Sequence, residues 1–239
     1  NYRVRFVPKT TGTYFGQAMT ANNIYSIAGG GGSLGDGGSA TAGKLSAPNA
    51  VSVDAAGNLY IADKSQHRVR FVPQSSGTYF GQAMTANYID TIAGNGTGWY
   101  GGDSAVATSA QIKSITGVAV DAGGNVYIAD TGNHRLRFVA RTSGTYFGSA
   151  RTANYIYTIG GNGTGAFGGD GGAATSANLF ASSSVSLDAL GNVYIADKTN
   201  NRIRMIAKTS GTYFGQAMTA NSIYTIAGTG TAGYSGDGG

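Results

Sequence analysis

A 67-residue period constrains this chain more than any other feature. The segment Asp54–Asp63 returns in closely similar form at Asp121–Asp130 and Asp188–Asp197, and a loop Asp keeps the same count at Asp36, Asp103, Asp170 and Asp237. The string Gly-Thr-Tyr-Phe-Gly begins at Gly12, Gly77, Gly144 and Gly211, so its first interval is 65. The missing two residues fall between Ile27 and Asp36, in a Gly-rich stretch where a surface loop absorbs a deletion. A chain of this kind is one supersecondary unit repeated, each copy burying apolar surface against its neighbours.

Within a unit the hydrophobic pattern has period 2. Val51-Ser52-Val53-Asp54 reads as a short alternating strand, and Asp54 to Asn58 as a turn whose Asp bonds its own backbone. Leu59-Tyr60-Ile61-Ala62 is apolar on both faces, as a strand buried between packed sheets must be. A second turn, Asp63 to His67, leads into Arg68-Val69-Arg70-Phe71-Val72, and Tyr88-Ile89-Asp90-Thr91-Ile92 supplies a fourth strand ended by Gly94. Composition agrees: 41 of 239 residues are Gly, 3 are Pro, none is Cys, and all 11 acidic residues are Asp, a vocabulary of strands and turns rather than helices. The fold class expected is all-β, made of four-stranded antiparallel β-propeller blades.

Asn125-Val126-Tyr127-Ile128-Ala129-Asp130-Thr131-Gly132-Asn133-His134-Arg135-Leu136-Arg137 resembles the NHL repeat, and Ile92 to Thr97, Gly102-Asp103 and Gly117 to Asp121 resemble bacterial NHL-type propellers. Three departures stand out. Arg occupies the third position of the triplet, Gln66 its first position in one copy, and Asn200-Asn201-Arg202 replaces it in another. The unit also exceeds the roughly 40–45 residues of a propeller blade. Two long connections account for the excess: Gly77 to Asn87 between strands three and four, and about Gly94 to Thr116 between units. Antiparallel order sends these to opposite faces, the Tyr-Phe segments to one and the Gly-Asp loops to the other.

In this frame residues 1–49 are a partial blade with its exit loop, 50–116 and 117–183 whole blades, and 184–239 a blade with a shortened exit loop, about fourteen strands in all. That division reads as part of a larger propeller or array, or as a subunit completed by its neighbours. No apolar run approaches the roughly 18 residues needed to cross a membrane, and no membrane partner is expected. The formal charge of +5 permits attraction to polyanions without requiring it.

Ten of the 11 Asp residues fall in repeat register, where turn-capping and local pairing, for instance Asp63 with Arg68, are the expected roles. Asp90 alone stands where other copies have Tyr25, Tyr157 and Tyr224, and one carboxylate without a partner acid or base makes a poor catalytic site. His67 and His134 are one repeat apart and too few for a metal cage, so they are assigned to turns. The single carboxylate in each Gly-Asp loop is weak for calcium, and no Gly-Lys-Ser/Thr follows any Gly run. The Asn95 and Asn162 sequons double as turn signals. No catalytic residue, metal or cofactor is assigned.

The pairs Arg3/Arg5, Arg68/Arg70, Arg135/Arg137 and Arg202/Arg204 share one strand face, and the resemblance brings RNA or another polyanion in as a minor reading, since some NHL propellers bind RNA. The assigned binding residues are the aromatic pairs Tyr14-Phe15, Tyr79-Phe80, Tyr146-Phe147 and Tyr213-Phe214, expected as a row on one face able to stack on a sugar or anchor a protein, or else to fold back and plug their own blades. The leading expectation is a non-catalytic structural or adhesive binding module of an extracellular or cell-surface bacterial repeat protein, forming a fibre or surface assembly. Its partners would be further copies of itself or neighbouring blades, with a protein or glycan ligand. A fragment of a propeller lyase or hydrolase, its active groups elsewhere, is the alternative, and polyanion binding the second.

Overall fold

The computed structural model describes residues 1–233; Asp237, the last of the loop Asp series, lies outside them. The described chain is all-β. In the second unit the strands Pro48–Val53, Leu59–Asp63, Arg68–Val72 and Tyr88–Ala93 pair antiparallel with their sequence neighbours. The third and fourth units repeat this order through Gly117–Val120 to Tyr155–Gly160 and Ser184–Leu187 to Ile223–Ala227. The first unit has the two outer blade strands, Val4–Phe6 paired with Tyr25–Ala28. The inner strands Pro48–Val53, Gly117–Val120 and Ser184–Leu187 lie side by side, as propeller blades arrange them.

The fully apolar second strand is buried along its length, at Leu59–Asp63 and again at Val126–Asp130. It sits between two sheet faces, and its neighbours form cores that bridge units. Val69 and Phe71 of the second unit pack with Ile112, Ile115, Val126 and Ile128, while Leu136 and Phe138 of the third pack with Val185, Val193 and Ile195. Each unit therefore completes its neighbour's core, which is why a single copy could not hold its shape alone.

Two features depart from the sequence reading. The Tyr-Phe connections are two-stranded hairpins rather than loops: Gly12–Tyr14 pairs with Gln17–Met19, Gly77–Tyr79 with Gln82–Met84, and the later copies likewise. The turn residues explain it. Phe80 (φ 49) and Gly81 (φ 75) are both left-handed, the conformation of a two-residue turn whose twist suits a hairpin. The exit loops, in turn, clip onto the following unit. Gly38–Ser39 adds a short strand to Tyr88–Ile89, Ala105–Val106 adds one to Tyr155–Ile156, and Ala173 bridges Ser222.

Each loop then returns to the unit it left. Gly94 N–H donates to Ala107 O and Asn95 N–H to Ala110 O, both at the end of the outer strand. Gly94 has φ +88, and a Cβ there would lie 2.3 Å from His67 O and 2.8 Å from Ile112 Cδ1, so only glycine lets the Ile112 side chain seat against the strand end.

Candidate functional site

On the hairpin face each Tyr-Phe pair leans on its own blade. Phe80 meets Phe71 edge-on at 5.7 Å between ring centroids, with Tyr60 at 6.4 Å, and Phe147 meets Phe138 and Tyr127 in the same way. Tyr79 Oη donates to Ser75 O at 3.0 Å, and Tyr14 and Tyr213 bond Thr10 O and Thr209 O at equivalent places. A bulky residue at φ near 50 carries a cost of about 1–2 kcal/mol. The ring contacts hold it in place at Phe15, Phe80, Phe147 and Phe214 alike.

The next unit finishes each pair differently. Arg141 reaches across with its guanidinium carbon 5.0 Å from the Phe80 ring and donates to Thr78 O at 3.0 Å; Lys208 lies 4.9 Å from Phe147. Gln74 holds the corresponding register beside the first hairpin. Phe80 is thus buried, Tyr14, Phe15, Tyr79, Tyr146, Phe147 and Tyr213 are half-buried, and Phe214 is 67% exposed. Each pair thus packs on its own blade at an equivalent place in the repeat, with a cation from the next unit beside Phe80 and Phe147.

The charged residues are engaged elsewhere. Arg70, Arg137 and Arg204 are fully buried, each between a carboxylate from the preceding unit's exit loop and one from its own second strand. Arg137 contacts Asp103 at 2.6 Å and Asp130 at 3.3 Å; Arg204 contacts Asp170 at 2.5 Å and Asp197 at 3.4 Å. Arg70 contacts Asp36 at 2.6 Å but reaches only to 3.9 Å of Asp63. The expected Asp63–Arg68 ion pair is therefore corrected: these two are backbone partners in the ladder, while Arg68 turns its guanidinium to Asn95 O and Gln66 O.

Burial pushes the Asp63 carboxyl up to about 6 against the opposing pull of the Ser46 N–H and Arg70. Asp130 is also displaced upward by burial, which outweighs Arg137 and Asn133. The inner-turn carboxylates accept from their own turns. Asp121 accepts from Gly123 N–H, Asn125 N–H and Tyr127 Oη, and Asp188 has the same set of partners. At Asp188 burial pushes upward, yet the hydrogen bonds from Asn192 and Tyr194 outweigh it and leave the carboxyl below its ordinary value.

His67 and His134 cap single turns with φ 53. Their Nδ1 atoms accept from Ser114 N–H at 3.0 Å and Ala181 N–H at 3.1 Å, tying the turn to the next exit loop. Burial holds both imidazoles below the usual histidine range, helped by Lys113 at His67 and by Arg135 at His134. Asp90 accepts from Gly37 N–H in the shortened first exit loop, at 2.9 Å, so this out-of-register carboxylate fastens the loop that lost two residues. Asn95 and Asn162 are exposed and form Asx turns with Thr97 and Thr164.

Sequence reasoning missed one set of aromatics. Tyr100 lies over Arg135 at 3.7 Å and Arg137 at 5.1 Å, and Phe167 covers Arg202 and Arg204 at the same distances. They shield the buried ion pairs from solvent. Their 67-residue spacing was a signal, but Ser33 breaks it in the first copy.

Residues 39–140 match the Teneurin NHL domain family. Human Teneurin-4 is 32% identical over 107 residues and human Teneurin-1 29% identical over 99, each match covering 41% of this chain. The chain spans 4% of the length of these curated relatives. Among solved structures, an auxiliary nutrient binding protein from Bacteroides ovatus aligns over 85% of this chain and 38% of its own, with 11% identity and a TM-score of 0.46.

Proposed function

Taking the NHL-type repeat of residues 39–140 as the premise, we propose that this chain is a non-catalytic binding module whose hairpin face engages a glycan or protein surface. The observation that carries the reading is the division of labour in each unit. Every described Asp in repeat register is engaged by Arg, by backbone N–H or by Tyr, and each serves turn or inter-unit geometry. What the repeat presents outward is the row Tyr14-Phe15, Tyr79-Phe80, Tyr146-Phe147 and Tyr213-Phe214, with Phe80 as the supporting member and the others offering ring surface. Flat rings beside the seam cations Arg141 and Lys208 suit a sugar or an interface anchor.

In this reading the protein works outside a bacterial cell, at the surface or in a fibre, and blade-on-blade packing lengthens the array by adding units. Three of the four arginine pairs have one member, Arg70, Arg137 or Arg204, buried and bonded to carboxylates, which counts against the polyanion reading, while Arg3 and Arg5 are both exposed. The chain has no helix long and apolar enough to cross a membrane among its described residues.

The test compares the chain with the double variant Phe147→Ser, Phe214→Ser on a polysaccharide array and on immobilised bacterial surface protein, with sedimentation recording self-association. Loss of binding or association in the variant, with its melting transition intact, supports the row as the surface. Unchanged binding and association remove it.

A further inference from the structure

Two exit loops carry an aromatic ring three residues before their Asp, and the first does not. Tyr100 precedes Asp103 and Phe167 precedes Asp170, whereas Ser33 precedes Asp36. The first loop is two residues shorter between Gly29 and Asp36 than the second is between Gly94 and Asp103, and it crosses that span through Gly30, Gly31 and Gly32. In the third unit the ring has a defined seat. Tyr100 lies 3.7 Å over the Arg135 guanidinium and 5.1 Å from that of Arg137. Its Oη donates to Asp103 Oδ2 at 2.8 Å, with Thr158 Oγ1 at 3.4 Å.

The second unit keeps every partner of that ring. Arg68 donates to Asn95 O at 2.7 Å and Gln66 O at 3.2 Å, just as Arg135 donates to Asn162 O at 2.6 Å and Asn133 O at 3.2 Å. Asp36 meets Arg70 at 2.6 Å, as Asp103 meets Arg137. Thr91, in the register of Thr158, donates to Asp36 Oδ2 at 2.9 Å, the oxygen that corresponds to the acceptor of the Tyr100 hydroxyl. Beside Arg68 is a pocket of ≈ 270 Å³ lined by Asp36, Gln82, Thr91, Asn95 and Thr108. A cavity of about 150 Å³ accepts benzene, so this space takes one substituted ring. Its walls come entirely from residues between 36 and 108, in the interior of the chain.

We propose that this pocket is a binding site for a small molecule bearing a 4-hydroxyphenyl group, its ring lying on the Arg68 guanidinium and its hydroxyl donating to Asp36 Oδ2 beside Thr91. The guanidinium attracts the face of the ring, and the carboxylate selects a hydroxyl over a bare ring. In the fourth unit Phe167 takes the same seat, 3.7 Å over Arg202, so the ring contact is the constant part and Asp36 with Thr91 supplies the preference for a phenol. None of the Tyr-Phe residues of the hairpins lines the pocket, and it works independently of any ligand on them.

The probe is p-cresol, titrated into the ¹⁵N-labelled chain. Saturable shifts are expected at the amides of Thr91, Asn95 and Thr108, with at least about threefold weaker binding for toluene, because a hydrogen bond of ordinary net strength supplies that factor. Tyr100→Ala opens the same seat in the third unit and should add a second set of saturable shifts at Thr158, Asn162 and Thr175. The comparison of p-cresol with toluene leaves the protein unaltered, so it stands even if that variant fails to fold. Absence of shifts at Thr91, Asn95 and Thr108 up to tens of millimolar p-cresol, or equal binding of the two probes, overturns the proposal. A folded Tyr100→Ala chain without the second set overturns it too.

Discussion

Gln66→Asn should stabilise this protein, and only above about pH 5. Asp63 is completely buried, and its Oδ2 has no hydrogen-bond partner among the described residues. In the third unit the equivalent oxygen of Asp130 accepts from Asn133 Nδ2 at 3.0 Å and from Arg137 at 3.3 Å; in the fourth, Asp197 accepts from Asn200 Nδ2 at 2.8 Å. Gln66 occupies the Asn position with one methylene too many, and its amide does not reach the carboxylate. A hydrogen bond to a charged group contributes about 1.5–3 kcal/mol. The lower half of that range applies, because the Asn133 amide that serves Asp130 is shared with Trp99 O.

The expected gain is therefore about 1.5–2 kcal/mol, or a rise of roughly 3–8 °C in Tm for a chain of this size. Its pH dependence follows from the raised Asp63 carboxyl, at about 6 against 3.8 for the ordinary group. A carboxyl raised on folding contributes stability that is complete below the ordinary value and is lost as pH rises through the folded one. Wild-type protein loses this contribution between about pH 4 and 6. The shorter amide introduced by Gln66→Asn favours the carboxylate and lowers that folded value, so the Tm difference should be small at pH 4 and full at pH 7. Calorimetric melts of both proteins at the two pH values decide it. Equal Tm at pH 7, or the same gain at both, refutes the reasoning.

Three further outcomes are expected. Ser182 is 1% exposed with an unbonded hydroxyl, where the preceding copy has the buried Ile115, so Ser182→Val should add about 1 kcal/mol in urea unfolding. Arg137→Met leaves Asp130 and Asp103 without their cation and should cost about 3–5 kcal/mol, read as a lower unfolding midpoint. His67 and His134 are held below the usual histidine range on folding, so the stability they add is complete above about pH 6.5 and falls as pH drops further. His67→Asn with His134→Asn, following Asn201 in the fourth unit, should flatten that acid limb of the Tm profile.

Strand positions were readable because Leu59 to Ala62 and Val51 to Val53 carry local, periodic signals, and the count of fourteen blade strands holds among the described residues. The hairpins were not readable, because a left-handed Phe80 or Phe147 is sterically costly and only the ring contacts with Phe71 or Phe138 sustain it. Pairing Asp63 with Arg68 used sequence proximity. The observed partner, Arg70, also meets Asp36, which is 34 residues away and reaches it only after two units pack face to face. Leu45, Ile112 and Leu179, which seat against the glycines at the outer-strand ends, were in register throughout, yet a lone apolar residue in a polar loop gives no local indication of what it fills.

Hydrogen exchange at three backbone amides tests most directly whether the repeat's polar residues serve to lock one unit to the next. Ser46, Lys113 and Phe180 lie in exit loops outside any strand, and each N–H donates to a buried Asp of the following unit at 2.7 Å. They should exchange as slowly as the central strand amides of Ile61 and Ile128, and Arg137→Met should release Lys113 first. Exchange of the three at the rate of the exposed Gly-rich loops would contradict the account.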